Sequence, residues 1–309
     1  MSPRARATLG ALALLLAAGC AASPVPRAPA GDRDLAQMTR LARSAYEAGA
    51  LSQAVALYER ALTRARVLDD PVADAAYNLA VCLTLRGQDE RAGEFLREAE
   101  AELRRAGAAL ADVWLVAAKV ARLRGRPLEA RALAERVLTD PAARPTDGHR
   151  VLVAVLEGDL ACDGGGAAAA RSALATARNR LGTPPDPGLL AEIARLEGRL
   201  DLLETRPDLA ALAFDREAGL WQDARRHPEM ARALGRAGEA YRVAGRPGPA
   251  ADRLFRAARS GWAQGERGIA MEQLRSAVSL AGEADDPGLK ARALALQEEM
   301  TRALQSDNE

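Results

Sequence analysis

Residues 234–257, LGRAGEAYRVAGRPGPAADRLFRA, decide the fold. Gly245 stands between two stretches whose apolar residues recur every three or four positions. Glycine permits the left-handed backbone turn that ends a helix, so one helix is predicted to stop there and a second to start. In the second helix a small residue comes five positions after the glycine, a large apolar residue four further and a small one three further: Ala250, Leu254 and Ala257. The stretch therefore predicts a hairpin of two packed helices.

The same unit recurs along the chain with 38 to 40 residues between turn positions. One weaker copy has Thr205 in place of the turn glycine and Glu217 at its last position. The turn positions of the six copies are Gly49, Gly87, Gly125, Gly165, Thr205 and Gly245. All six copies have Ala five positions after the turn, more often than the 72 alanines in 309 residues explain by chance. A further copy from Gly265, completed by residues 287–304, brings the expectation to about fourteen helices in six or seven hairpins.

Composition excludes several classes of protein. Aromatic residues make up 3% of the chain and apolar residues 49%, and the abundance of alanine argues against a β-rich fold. The formal net charge of +1 lacks the surplus of Lys and Arg that nucleic-acid binders use to displace counterions, so no nucleic-acid partner is expected. Two histidines, His149 and His227, are predicted at the surface. With three cysteines besides, they leave little material for a metal site, and no cofactor is expected.

Two stretches resemble the tetratricopeptide repeat (TPR), whose first helix carries a bulky residue, a large-plus-small pair and another bulky residue. The matching positions are Leu234, Ala237-Gly238 and Tyr241 in one stretch, and Ala76, Leu79-Ala80 and Leu83 in the other. The resemblance implies an all-α protein, an α-α superhelix or TPR-like solenoid of about 6–7 helical hairpins. The period exceeds the 34 residues of that family, and Glu157 and Glu197 replace expected apolar residues. Other α-hairpin solenoids therefore remain open.

The resemblance also implies a concave groove lined by the first helices of the hairpins. Residues three and four apart share one face of a helix. On that basis a peptide-binding groove is predicted on three successive first helices, formed by Arg43, Tyr46, Tyr77, Asn78, Lys119 and Arg122. Cations, an amide and aromatic rings suit an extended or helical peptide with a carboxylate. The alternative is an ordinary Arg-rich solvated face.

The N-terminus has the pattern of a secretory signal, in which basic residues precede a short apolar run and small residues. Residues 16–20, LAAGC, resemble the lipobox of bacterial lipoproteins, which implies a signal peptide at 1–19 and acylation of Cys20. The Pro-rich residues 20–32 are predicted to be a tether, and residues 33–309 the TPR-like solenoid. An ordinary signal peptide with an incidental cysteine is the alternative. Ala21 in place of Asp favours the outer membrane under the enterobacterial sorting rule.

Together these features predict a lipid-anchored protein of the cell envelope, on the periplasmic face and at the outer membrane. Its expected role is that of a non-catalytic scaffold or adaptor for an envelope protein or peptide in an assembly or secretion complex. The alternative is an accessory or regulatory subunit of a cell-wall or polysaccharide export machine. Motifs for nucleophilic or metal-assisted hydrolysis are missing from the sequence, so no enzyme is expected.

Overall fold

The computed structural model describes residues 32–306. Within this range the chain forms fourteen α-helices joined by short turns and contains no strand, as the repeat predicts. The predicted signal peptide, Cys20 and most of the predicted tether lie outside the described residues. The first helices of the seven hairpins are α1 (Arg33–Glu47), α3 (Ala73–Leu85), α5 (Ala111–Leu123), α7 (Asp147–Asp163), α9 (Pro187–Leu203), α11 (His227–Val243) and α13 (Arg267–Glu283). The second helices are α2 (Leu51–Leu68), α4 (Asp89–Arg105), α6 (Pro127–Thr139), α8 (Ala167–Asn179), α10 (Pro207–Asp223), α12 (Pro247–Ala263) and α14 (Pro287–Ser306).

The predicted turn positions all adopt the left-handed backbone conformation. Gly245 has φ +69°, and Thr205, which lacks the advantage of glycine, has φ +57°. At the Gly245 turn the Arg246 N–H donates to the Tyr241 carbonyl (2.9 Å), and the Gly245 N–H donates to the Arg242 carbonyl (3.1 Å). These two bonds form the Schellman motif, which satisfies carbonyls that a helix end would leave unpaired.

The last hairpin pairs residues 267–283 with residues 287–306, as predicted, but its signature glycine lies in a different place from those of the other copies. Gly265 has φ +81° but joins α12 to α13, so it lies between two hairpins rather than within one. The turn within the seventh hairpin is at Asp285, with φ +52°. From Pro207 onward each helix begins 20 residues after the previous one, which is half the 40-residue length of a hairpin. Gly245 and Gly265 are therefore 20 residues apart and end two successive helices.

The chain divides into two compact units. Over the described residues, unit 1 comprises residues 32–164 with Ala168–Leu189, and unit 2 comprises Gly165–Ala167 with residues 190–306. In unit 1 the core includes the fully buried Trp114 and Leu79, and in unit 2 it includes Phe214 and Leu254. The alanines at the fifth position of the repeat are all fully buried: Ala54, Ala92, Ala130, Ala170, Ala210 and Ala250. A small side chain at this point lets two helix axes approach closely, which explains why the repeat retains alanine there.

Replacing Gly198 of α9 by Ala should destabilise the protein by about 1–3 kcal/mol because of overpacking. A Cβ at this position would lie 2.5 Å from Cε1 and 2.7 Å from Cζ of the buried Phe214 ring. The matched control is Gly219→Ala in α10, where a Cβ would meet nothing within 4 Å. The control should gain about 0.5–1 kcal/mol, since alanine is the better helix former. Urea unfolding of both variants measures the difference, and a Gly198→Ala protein as stable as the control would contradict this packing.

Candidate functional site

The six residues of the predicted groove lie on α1, α3 and α5 of unit 1, and half of them are buried. Tyr46, Tyr77 and Asn78 are each less than 9% exposed. Asn78 Nδ2 donates to the Asp74 carbonyl (2.7 Å), and burial raises the pKa of the Tyr77 hydroxyl well above its ordinary value. These three side chains therefore pack inside the unit.

The three basic residues of this set remain partly exposed. Arg43 and Lys119 are half-buried. Arg122 Nη1 donates to Asp163 Oδ2 over 2.9 Å, so its charge is matched by a carboxylate. Peptide binding by this set stays a prediction, with its accessible part reduced to these three cations.

His149 is not the surface residue that the sequence suggested, since its side chain is only 12% exposed. Its Nδ1 accepts the Thr146 backbone N–H (2.8 Å), and its Nε2 lies 3.0 Å from Asp112 Oδ1. The Thr146 hydroxyl in turn accepts the His149 N–H (3.3 Å). This is a capping box at the start of α7 in which histidine takes the place of the usual Glu or Gln. The row of Asp, His and Thr resembles a catalytic triad in composition, but the Thr146–His149 contacts form the cap of α7, and Asp112 contacts the histidine from α5.

The two glutamates that break the repeat pattern have polar surroundings. Glu197 forms an ion pair with Arg216. Glu157 is half-buried and, with Arg150 and Arg180, lines a cavity of about 370 Å³ in unit 1. A long side chain lets the carboxylate reach an ionic or hydrated environment while its backbone stays in the helix.

A larger groove, of about 650 Å³, lies in unit 2 and is called the unit 2 groove below. Its walls come from the first helices of three successive hairpins, and its floor from Phe214 of α10 and Leu254 of α12. The wall residues are Arg199 and Leu202 of α9; Arg232, Gly235, Arg236, Glu239, Ala240 and Val243 of α11; and Ile269, Glu272, Gln273 and Ser276 of α13.

Helical spacing explains why these side chains converge. The six residues contributed by α11 are three, one, three, one and three positions apart, which places them on one helix face. The four from α13 follow the same spacing. Both helices therefore present one continuous face to the groove, with apolar Val243 and Ile269 among polar residues.

A buried ion pair lies beside the groove. Arg236 Nη2 donates to Glu217 Oε1 (2.5 Å) and Arg236 Nε to Glu217 Oε2 (3.3 Å), while Trp221 Nε1 donates to Glu217 Oε1 (3.2 Å). The Glu217 side chain is 1% exposed and that of Arg236 33% exposed. Burial raises the pKa of the Glu217 carboxyl, and the guanidinium of Arg236 opposes that shift. The guanidinium also lies 5.7 Å from the centre of the Phe214 ring, so both its charge and its position are fixed.

Glu217 is an exception within the repeat. The equivalent position is fully buried in the other copies and is always apolar: Ala61, Ala99, Val137, Ala177 and Ala257. Burying a carboxylate costs free energy unless it is paired. The fifth copy thus carries a charge that packing alone does not require, paired with a residue that lines the groove.

Gly235 and Gln273 form a second distinctive contact. A Cβ on Gly235 would lie 2.7 Å from Gln273 Nε2, so only glycine lets the amide rest against the backbone of α11. Among the described residues, this amide has no hydrogen-bond partner. Of the other charged wall residues, Arg232 pairs with Glu266 (2.6 Å) and Glu239 with Arg242 (2.8 Å), whereas Glu272 is exposed.

Sequence reasoning did not identify these groove residues, although part of the signal was available. The three-and-four spacing that selected residues on α1, α3 and α5 also selects Arg232, Arg236 and Glu239 on α11. The pairing of Arg236 with Glu217 had no such signal, because the two residues belong to different hairpins.

Neither a metal cluster nor a membrane span is found in the described part of the chain. Over residues 32–306, no three His, Cys, Asp or Glu side chains are grouped so that they could hold a metal ion. None of the helices in this range combines the length and apolar character needed to cross a membrane.

Comparison with solved structures shows the fold. A Rap protein in complex with Competence and Sporulation Factor superposes with a TM-score of 0.53 and 11% identity, covering 88% of this chain and 99% of the Rap chain. The type IV pilus biogenesis factor PilW gives a TM-score of 0.45 at 17% identity, covering 72% and 92% of the two chains. A tetratricopeptide repeat protein from Parabacteroides merdae gives 0.41 at 12% identity, covering 85% and 100%. No family model matches the sequence, and a search of curated proteins also gave no match. With fourteen helices in consecutive hairpins over residues 32–306, and the likeness to the Rap protein, the chain has an all-helical, TPR-like solenoid fold.

Proposed function

We propose that this protein is a non-catalytic interaction scaffold, anchored in the cell envelope through Cys20, whose unit 2 groove binds a segment of a partner protein. The observation that carries the proposal is the construction of that groove. Three first helices converge on it, and it combines the exposed apolar side chains of Val243 and Ile269 with the Gln273 amide, which has no hydrogen-bond partner among the described residues. Such a mixture is typical of sites that bind and orient a ligand. The Rap protein of similar fold was solved in complex with Competence and Sporulation Factor, which is in keeping with a binding role.

Affinity capture after mild crosslinking in membranes tests the scaffold. The wild type is compared with Val243→Glu, which places a charge on an exposed apolar wall residue of the groove, and with the control Leu209→Glu on α10, outside the groove. We expect one or two envelope proteins in stoichiometric amounts with the wild type and the control, and their loss with Val243→Glu. The triple variant of Arg43, Lys119 and Arg122 to Ala tests the unit 1 set separately. Capture that survives Val243→Glu would exclude the groove, and the identity of a captured protein separates an assembly complex from an export machine.

The anchor rests on the sequence around Cys20. Replacing Cys20 by Ser should abolish palmitate labelling and release the protein from the membrane fraction, because acyl chains on this sulfur would be the attachment. Cys162→Ser is the matched control, since Cys162 lies in a repeat helix, and it should keep both the label and the membrane association. A Cys20→Ser protein that still carries label would contradict the lipid anchor.

A further inference from the structure

Two polar side chains of the unit 2 groove have hydrogen-bonding atoms without a partner in the described part of the chain. Arg236 uses Nε and Nη2 for Glu217, and its Nη1 has no partner within the described part of the chain. The Gln273 amide, held against Gly235, offers both donors and an acceptor. A bound helix satisfies its own backbone and would cover these groups without pairing them, at a cost. An extended segment presents free carbonyls and N–H groups that match both.

The charges of the groove nearly balance, since its walls carry Arg199, Arg232 and Arg236 together with Glu239 and Glu272. Glu217 is buried against Arg236, and Glu266 lies 2.6 Å from Arg232. A charged side chain entering the groove would therefore lose its hydration and meet little net field of opposite sign.

The apolar surface supplies the remaining contacts. Phe214 and Leu254 lie beneath the groove and are only 1% exposed, so this surface comes from Val243 and Ile269 on the walls, which are 61% and 56% exposed. A bound segment with apolar side chains would cover these exposed side chains and remove their apolar surface from water, which favours binding.

From these observations we propose that the unit 2 groove selects an extended, uncharged segment with apolar side chains, held through its backbone by Arg236 and Gln273. Glu217 is the specificity-determining residue, because it cancels the charge of Arg236 and fixes its orientation. This inference rests on the scaffold function proposed above and names the chemistry of the partner segment.

Three pools of ten-residue peptides with blocked termini test the proposal. All have Val, Ile, Leu or Phe at alternate positions, and the other positions carry Ser, Thr, Asn or Gln in the neutral pool, Asp or Glu in the acidic pool, and Lys or Arg in the basic pool. Binding to the purified full chain is measured by fluorescence anisotropy at low and high salt. The neutral pool should bind about tenfold more tightly than either charged pool, with little dependence on salt. Gln273→Ala should weaken it about five- to tenfold by removing hydrogen bonds to the backbone, and Gln222→Ala, on exposed α10 surface outside the groove, should not.

Glu217→Ala should reverse the preference. Alanine occupies this position in most other copies of the repeat, so the fold is expected to persist, and Arg236 then becomes an unmatched cation. The acidic pool should gain about tenfold in affinity and become strongly salt-dependent. If the wild type already prefers the acidic pool, the groove binds peptides and the inferred chemistry is wrong. If no pool binds, or Gln273→Ala changes nothing, the inference is overturned, and capture that survives Val243→Glu would separately overturn the groove-based scaffold.

Discussion

Arg236→Ala should lower the free energy of unfolding by about 3 kcal/mol, whereas Glu217→Ala should cost about 1 kcal/mol. The asymmetry arises because Glu217 is 1% exposed and Arg236 33% exposed. Removing the arginine leaves a carboxylate buried without its cation, and removing the glutamate leaves a guanidinium that can turn into the groove and be hydrated. The value for Arg236→Ala lies at the lower end of the range for broken buried pairs, because the truncated side chain opens the site to water.

The double variant tests whether the broken ion pair causes the loss of stability in Arg236→Ala. Glu217→Ala with Arg236→Ala should be about as stable as Glu217→Ala alone, since the second change then breaks no buried pair. Urea unfolding of the four proteins gives the coupling energy. Additive losses in the double variant would show that the two side chains act independently, against the structure.

The loss of unfolding free energy caused by Arg236→Ala should also become smaller as the pH falls. Burial raises the pKa of the Glu217 carboxyl in the folded state, and Arg236 is the largest influence in the opposite direction. Without the arginine, the folded-state pKa rises further above the unfolded value of about 4.3. A group with a raised folded-state pKa stabilises the fold below its unfolded pKa and loses that contribution as the pH rises through its folded pKa. The difference from wild type should therefore be smaller near about pH 5 than near about pH 8, and a constant difference would contradict a buried ionised Glu217.

Trp114→Ala should destabilise unit 1 by about 3–5 kcal/mol. Trp114 is fully buried in α5, and its indole Nε1 donates to Glu100 Oε1 over 2.9 Å. The Arg136 guanidinium stacks 4.0 Å from the centre of its ring, so the side chain joins α4, α5 and α6. Alanine would remove these contacts and leave a cavity between three helices.

Trp114→Phe separates the contribution of the aromatic ring to stability from that of the indole N–H group. Phenylalanine keeps most of the buried apolar area and loses the bond to Glu100, which still accepts from Arg104 at 2.6 Å. The expected loss is about 1–2 kcal/mol. Hydrogen exchange should locate the weakened amides of both variants around α4–α6, since each hairpin of a repeat protein contacts mainly its neighbours. A loss below about 1 kcal/mol for Trp114→Ala would contradict this packing.

Much of the fold could be predicted because each repeat has the same local pattern, a turn residue followed five positions later by alanine. The alanine five residues after the turn is fully buried in all six copies, and the backbone is left-handed at each predicted turn, including Thr205. Local signals of this kind depend on residues close in sequence, and a period repeats them. The last hairpin was predicted with the correct helices, although Gly265 lies between two hairpins rather than within one.

The candidate site was less predictable because it depends on contacts between hairpins. Helical spacing shows which residues share a face, but not which of them neighbouring helices cover, so Tyr77 and Asn78 were expected in a groove and are buried. His149 has no local signal for its contact with Asp112, which lies on another hairpin. The same limit applies to Glu217, whose partner Arg236 belongs to the next hairpin.

The most direct test of the central claim is site-specific photocrosslinking in cells. A photoreactive side chain is placed at Val243 on the groove wall or at Leu209, which is 48% exposed on α10 outside the groove. The scaffold account predicts a discrete adduct with one envelope protein from position 243 and none from position 209. Equal adducts from both positions, or an adduct from position 209 alone, would contradict the claim that the unit 2 groove is the binding site.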